Sequence, residues 1–388
     1  MTAGIELVGD LGYLLLMASI VGALAYLFRQ PLVLGFLVAG ILIGPFGPFP
    51  LIRNLDLLNN FSDIAIVLLL FGVGLAFPLR QLKAIGIMGA GIAGIEIGIM
   101  LLLGLAVGLA FHWSFYDAMF LGAAISISST AIIVKVLEDA GKMESTQAIL
   151  VIGISVIEDL IAVVIISAMH AGVLNGTVEF SQIALTVAKI GLFMGVTIGA
   201  GVLAIPRLFA LVSKLERYEI TVMLALGLAF GLAFTSSQLG FSAATGAFLA
   251  GVCIAGSKFS EQITNLISPT REIFAAIFFV TVGALMNLAL ISVYLVPVAV
   301  ISLVTILGKV GGVYAGARLF KFEKQFALGM GLSMAQLGEF SFIVLKTGQD
   351  LGVIGASLFP IVGTVVVITT MVGPLMVRAG TKIVAVYE

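Results

Sequence analysis

Gly153-Ile-Ser-Val-Ile-Glu158-Asp159-Leu-Ile-Ala-Val-Val-Ile-Ile-Ser167 places two adjacent carboxylates in the middle of an apolar run long enough to cross a bilayer. A charged side chain at membrane depth costs about 2.5–3.5 kcal/mol even on lenient insertion scales. Two in succession must therefore face a partner or a water-filled cavity. Glu158 and Asp159 read as the centre of an ion pathway, and the rest of the chain can be tested against that placement.

The 388 residues are 61% apolar and 10% charged, with mean hydropathy +1.24. Soluble domains carry roughly 25% charged residues, so this composition is that of an all-α polytopic membrane protein without a sizeable soluble domain. The net charge of −1 gives no ground for a nucleic-acid partner. The single cysteine, Cys253, excludes an internal disulfide and reads as a small packed residue. The first apolar stretch lacks a basic leading region, so no cleavable signal peptide is expected. Two peripheral histidines, His112 and His170, give neither a metal cluster nor a Ser-His-Asp set, so neither an enzyme nor a resident cofactor is expected.

Apolar length, edge charges and Gly/Pro breaks place spans near 5–28, 31–49, 57–78, 84–111, 116–137 and 146–171, then near 182–211, 218–238, 241–256, 269–287, 291–317, 325–347 and 351–377. If the first connection is cytoplasmic, 15 of the 19 Lys and Arg fall inside. Only Arg53 and Lys346 fall outside, and Lys189 and Lys309 lie within spans. That asymmetry orients the N-terminus outside and the C-terminus in the cytoplasm, in a membrane expected to be a prokaryotic inner or plasma membrane. Thirteen spans permit six, one and six: a first repeat over 1–181, a connecting span over 182–216 and an inverted second repeat over 217–388, together one transport unit. Inverted repeats place a binding site at the midplane, where corresponding helices are broken. The fifth span carries Ile125-Ser126-Ile-Ser128-Ser129-Thr130 and the twelfth carries Gly331-Leu-Ser333-Met-Ala-Gln336-Leu-Gly338-Glu339-Phe-Ser341. Small and hydroxylated residues stand there where a lipid-facing helix keeps aliphatic ones, so both spans are expected to break and cross. Close helix packing is the alternative reading of either run alone.

Three further ionisable residues lie deep in predicted spans: Glu96, Lys309 and Glu339. Lys309, in Leu303-Val-Thr305-Ile-Leu-Gly308-Lys309-Val-Gly-Gly312, is the natural partner for one carboxylate of the acidic pair. A Lys309 that holds Glu158 while the site is empty, and releases it when a cation arrives, would couple cation binding to proton loss. Asp159 would be the primary cation ligand and proton carrier, completed by backbone carbonyls at the breaks and by the hydroxyls of Ser128, Ser129 or Thr130. A structural salt bridge is the alternative for Glu158 with Lys309. Glu339 is expected to pair with a base or cap a half-helix, and Glu96 is left without a role. Gly89-Ala-Gly91-Ile-Ala-Gly94 fits a dinucleotide fingerprint in letters alone, because it sits inside a span with no preceding strand.

Pro31-Leu-Val-Leu-Gly35-Phe-Leu-Val-Ala-Gly40-Ile-Leu-Ile-Gly44-Pro45, Val67-Leu-Leu-Leu-Phe71-Gly-Val-Gly74-Leu, Ser128-Ser129-Thr130-Ala-Ile132 and Gly338-Glu339-Phe340 occur in that order along the chain. Together they resemble the monovalent cation:proton antiporter-2 family, including its Kef-type potassium efflux branch. The resemblance implies a thirteen-helix sodium/proton antiporter-like fold, with a dimerisation domain and a core transport domain that moves like an elevator within a homodimer. By motif position it implies Asp159 as the ion-binding aspartate, Thr130 and its serine neighbours as the unwound helix, and Lys309 as the base reaching toward the acidic pair. Glu158-Asp159 departs from the Asp-Asp or Asn-Asp of sodium-type relatives and the Gln-Asp of Kef-type ones, which leaves the choice between Na+ and K+ open. Kef-type proteins also continue into a cytoplasmic nucleotide-binding regulatory domain, whereas this chain stops at Tyr387-Glu388.

Three functions fit these residues. The leading one is antiport of a monovalent cation, Na+ or K+, against H+ by alternating access. A cation-coupled symporter of a small organic anion would need a basic residue facing the cavity, for which Lys309 is the candidate. A gated cation channel or sensor would use the acidic pair for selectivity or switching.

Overall fold

The computed structural model describes residues 2–28, 30–52, 55–75, 79–139, 141–175, 180–214, 217–286, 293–338 and 340–385. The described residues form fifteen helices. These are α1 (Thr2–Leu27), α2 (Leu32–Ile43), α3 (Leu55–Leu75), α4 (Leu79–Ala110), α5 (Phe115–Ile125), α6 (Thr130–Asp139), α7 (Thr146–Asn175) and α8 (Phe180–Ser213). There follow α9 (Tyr218–Gln238), α10 (Ala243–Ala255), α11 (Ser260–Leu285), α12 (Leu295–Leu319), α13 (Lys324–Ser333), α14 (Phe340–Asp350) and α15 (Leu358–Ala385). Taking α5 with α6 and α13 with α14 as one broken span each, the described helices match the predicted spans one for one. Nine are long and apolar enough to cross a membrane. Three shorter apolar helices are α2, α5 and α10.

Several boundaries differ from the sequence reading, each for a local reason. The span expected over 31–49 is helical only to Ile43, because Pro45, Pro48 and Pro50 cannot donate to a helical ladder. The chain folds back there, with the amides of Leu51 and Ile52 both bonded to the Ile43 carbonyl at 3.0 Å. The span expected to begin at Pro269 begins at Ser260, with Pro269 inside α11. Packed membrane helices tolerate such a proline because neighbours re-satisfy the freed carbonyl. The last span starts seven residues later than expected and runs on to Ala385, since the long stems of Arg378 and Lys382 let a helix end among charges.

The chain divides into two compact units, one of residues 1–79 and 163–287, the other of 80–162 and 288–388. Each takes residues from both predicted repeats. In the first unit α3 packs against α10 and α11, and α2 against α1 and α11. A Cβ at Gly74, in the second sequence motif, would fall on the Phe248 carbonyl, so glycine is what lets α3 and α10 touch backbone to backbone. In the second unit the core gathers Ile92, Ile133, Val151, Val313, Met330 and Val377 from five different helices and the α6 half-helix. Both broken spans contribute residues to it.

Candidate functional site

Both breaks are encoded by side chains that compete with the helical ladder. At the end of α5 the Ser126 hydroxyl donates to the Ala123 carbonyl at 2.8 Å. At the start of α6 the Ser129 hydroxyl accepts from the Ile132 amide at 3.4 Å. The extended pieces between the half-helices run antiparallel, bridged at Ser128 and Leu337. The Ser129 amide donates to the Gln336 carbonyl at 3.3 Å and the Gly338 amide to the Ile127 carbonyl at 3.0 Å. The hydroxyls of Ser128 and Ser341 reach the carbonyls of Met334 and Ala124 at 3.1 and 2.6 Å. Irregular backbone at membrane depth is tolerated only where protein or a cavity satisfies it, and here each broken span satisfies the other.

The acidic pair on α7 lies against this crossing. Glu158 and Asp159 are successive residues, so their side chains leave the helix about 100° apart and meet different partners. Glu158 Oε2 accepts from the Ser128 amide at 2.8 Å, which fixes the carboxylate to the unwound backbone. The Thr130 hydroxyl donates to Asp159 Oδ2 at 3.1 Å. Glu158 is fully buried whereas Asp159 keeps 8% exposure, the more accessible acid of the pair. The structure brings together Ser128, Ser129, Thr130, Glu158 and Asp159, all nominated from sequence. Glu339 lies outside the described residues.

Lys309 stands within ion-pair distance of Glu158, as read from sequence, and has a second and nearer acidic partner. Its ammonium lies 2.7 Å from Glu96 Oε1 and donates to the Ser126 carbonyl at 2.9 Å, while Glu158 Oε2 stands 3.8 Å away. The nearer counter-ion is Glu96, the residue left without a role, and Glu158 is the more distant one. All three side chains have no solvent exposure. A glycine seam makes the arrangement possible. A Cβ at Gly312 of α12 would come within 3.1 Å of the Glu96 Cα, and one at Gly316 within 3.1 Å of the Ile92 Cα. The backbones of α12 and α4 thus approach closely enough for Glu96 to reach the lysine one turn along. Glycine spacing could have revealed this from sequence: Glu96 sits among Gly91, Gly94 and Gly98, and Lys309 among Gly308, Gly311 and Gly312. Two opposite charges in glycine-rich spans are natural partners in a membrane.

Two carboxyl groups, Glu96 and Glu158, flank one buried base, and Asp159 follows Glu158 on α7 with the Thr130 hydroxyl as its partner. Glu96 Oε2 and Glu158 Oε1 receive no hydrogen bond from the described residues.

Residues 15–381 match the family model described as sodium/hydrogen exchanger, transmembrane. The chain belongs to the sodium/hydrogen exchanger family. Among family relatives it is 32% identical over 386 residues to YbaL of Escherichia coli (strain K12), covering 96% of this chain and 68% of that one. It is 28% identical over 370 residues to the Na(+)/H(+)-K(+) antiporter GerN of Bacillus cereus, covering 95% of each. The sodium proton antiporter MjNhaP1 of Methanocaldococcus jannaschii superposes with a TM-score of 0.74 over 99% of both chains at 20% identity, a likeness of fold. All four sequence motifs lie within the matched residues.

Proposed function

We propose that this protein is a secondary antiporter that exchanges a monovalent cation, Na+ or K+, for H+ by alternating access. The observation that carries the proposal is Asp159, an acid of residual exposure held by the Thr130 hydroxyl at the crossing of two broken helices. A cation and a proton would compete for its carboxylate. Glu158, tied to the Ser128 amide, keeps the unwound backbone in place beside it. Family membership supports the reading, as do the names of the relatives. The symporter alternative loses support because Lys309, its candidate anion receptor, is engaged by Glu96 and the Ser126 carbonyl. Basic residues concentrated on one set of loops support a cytoplasmic C-terminus and an outside N-terminus, and family resemblance supports a homodimer in a prokaryotic inner or plasma membrane.

The test uses purified protein in liposomes with an internal pH dye and an imposed acid-inside gradient. Na+, K+, Li+ or choline is added outside in turn. One alkali cation is expected to discharge the gradient, less effectively at acid pH, where protons occupy the carboxylate. Asp159→Asn is expected to abolish the response with its melting temperature unchanged, and normal exchange by that variant sinks the mechanism.

A further inference from the structure

We infer that Glu96 is a positioning residue for the cation site: it holds the Lys309 ammonium off Glu158 and so sets the affinity of the neighbouring Asp159 site for its cation. The inference rests on the antiport reading and deepens it. Lys309 sits in a three-point seat of Glu96 Oε1 at 2.7 Å, the Ser126 carbonyl at 2.9 Å and Glu158 Oε2 at 3.8 Å. The two carboxylates differ in what else they do. Glu158 Oε2 already accepts the Ser128 amide at 2.8 Å, and that bond holds the strand next to Thr130, the Asp159 partner. Glu96 has no backbone to hold, and its Oε2 receives no hydrogen bond from the described residues. Its polar neighbours are the lysine, at 2.7 Å, and the Glu158 carboxyl group.

A lysine stem has four rotatable carbons and a compact charge. With Glu96 neutralised, a movement of about one ångström brings the ammonium into full contact with Glu158. That movement weakens the cation site: it draws Glu158 from the Ser128 amide and loosens the break on which Thr130 stands. The Gly312 contact adds independent geometry: glycine brings the Glu96 backbone against α12, where a Cβ would stand 3.1 Å from the Glu96 Cα and 3.2 Å from its Cγ. The position is built to place this one carboxylate beside this one ammonium.

The experiment measures the concentration of Na+ or K+ that gives half-maximal thermal stabilisation of the full chain in detergent, a readout of binding independent of transport. Residues behind an ion's direct ligands typically alter affinity about 10- to 100-fold. A rise of that size is expected for Glu96→Gln. A return toward the wild-type value is expected for Glu96→Asp, which keeps the charge, and a value below that of Glu96→Gln is expected for Glu96→Gln/Lys309→Gln, which leaves no ammonium to move. An unchanged value in Glu96→Gln overturns the inference. So does a rise that the double variant retains, because it would mark a packing effect of position 96. If Glu96→Gln does not fold, Gly312→Ala, which displaces Glu96 without changing charge, is expected to raise the value, and no change overturns the inference. A wild-type protein that responds to none of Na+, K+ and Li+ overturns the antiport reading and this inference with it. A wild-type response that is lost in Asp159→Asn but kept unaltered in Glu96→Gln overturns this inference alone.

Discussion

Gly338→Ala is expected to open the crossing of the broken helices. A Cβ at this position would lie 2.8 Å from the Ser128 carbonyl oxygen, 3.1 Å from the Ser128 carbonyl carbon and 3.2 Å from the Ser129 Cα. All three are backbone atoms of the facing segment, so no side chain can turn aside. Ordinary contact needs the two segments to separate by about half an ångström. The Gly338 amide bond to Ile127, now 3.0 Å, and the Ser129 amide bond to Gln336, now 3.3 Å, both lie across that gap and would stretch beyond useful length. Each backbone hydrogen bond contributes about 0.5–1.5 kcal/mol net, and a buried group left unpaired costs about 1–3 kcal/mol. The variant should therefore lose about 2–4 kcal/mol, and because Glu158 bonds the adjacent Ser128 amide, cation exchange should fall with it. The matched control is Gly94→Ala on α4, where nothing stands within 4 Å of the new Cβ. There alanine should be neutral or stabilising by roughly 0.5–1 kcal/mol. Both are read by fluorescence-monitored thermal unfolding in detergent and by exchange in liposomes. A Gly338→Ala protein that melts and exchanges like Gly94→Ala would refute the claim that the crossing is held by backbone contact.

Thr130→Val removes the hydroxyl that donates to Asp159 at 3.1 Å while keeping the branched shape. Hydrogen bonds to a charged group contribute about 1.5–3 kcal/mol, so the apparent KM for the cation should rise about tenfold or more; an unchanged KM would remove Thr130 from the site. Lys309→Gln leaves Glu96 and Glu158 buried without their counter-charge, expected to cost about 3–5 kcal/mol. Adding Glu96→Gln should recover much of that loss in thermal unfolding, and a double variant no more stable than Lys309→Gln would show that the two side chains are not energetically linked.

Much of this architecture was legible because membrane solvation is strict. Apolar length located every span, and the serine and glycine clusters at Ser126–Ser129 and Gly331–Gly338 located both breaks, since such residues weaken a helix wherever it forms. Prolines were less reliable guides. Pro45 ended α2 as steric rules require, yet Pro269 sits within α11, because a helix interior packed by neighbours can absorb a missing bond that an isolated helix cannot. Glu158 does stand within ion-pair distance of Lys309, and the nearer partner, Glu96, is hidden in the sequence for a different reason. Glu158 is conspicuous beside Asp159, but which carboxylate meets an ammonium depends on how closely two helices approach, and the approach of α12 to α4 is set by Gly312 and Gly316. The side-chain directions of Glu158 and Asp159 about α7 were likewise hidden until the crossing backbone supplied their partners.

The distances along the chain between the site's halves bear on how the protein is made. Ser128 meets Met334 across 206 residues, and Lys309 meets Glu96 across 213. A ribosome adding about 5–20 residues per second needs some 10 seconds or more to supply the second half. For much of that interval α4 to α7 reside in the membrane with Glu96, Glu158 and Asp159 present, Lys309 not yet synthesised, and the backbone of residues 126–129 without its antiparallel partner. The nascent half-protein therefore contains three acids in an environment that disfavours them, so insertion must pass through an intermediate that is protonated, hydrated or held by the insertion machinery. Truncations ending before residue 309 should be the forms most readily recognised and degraded by membrane quality control.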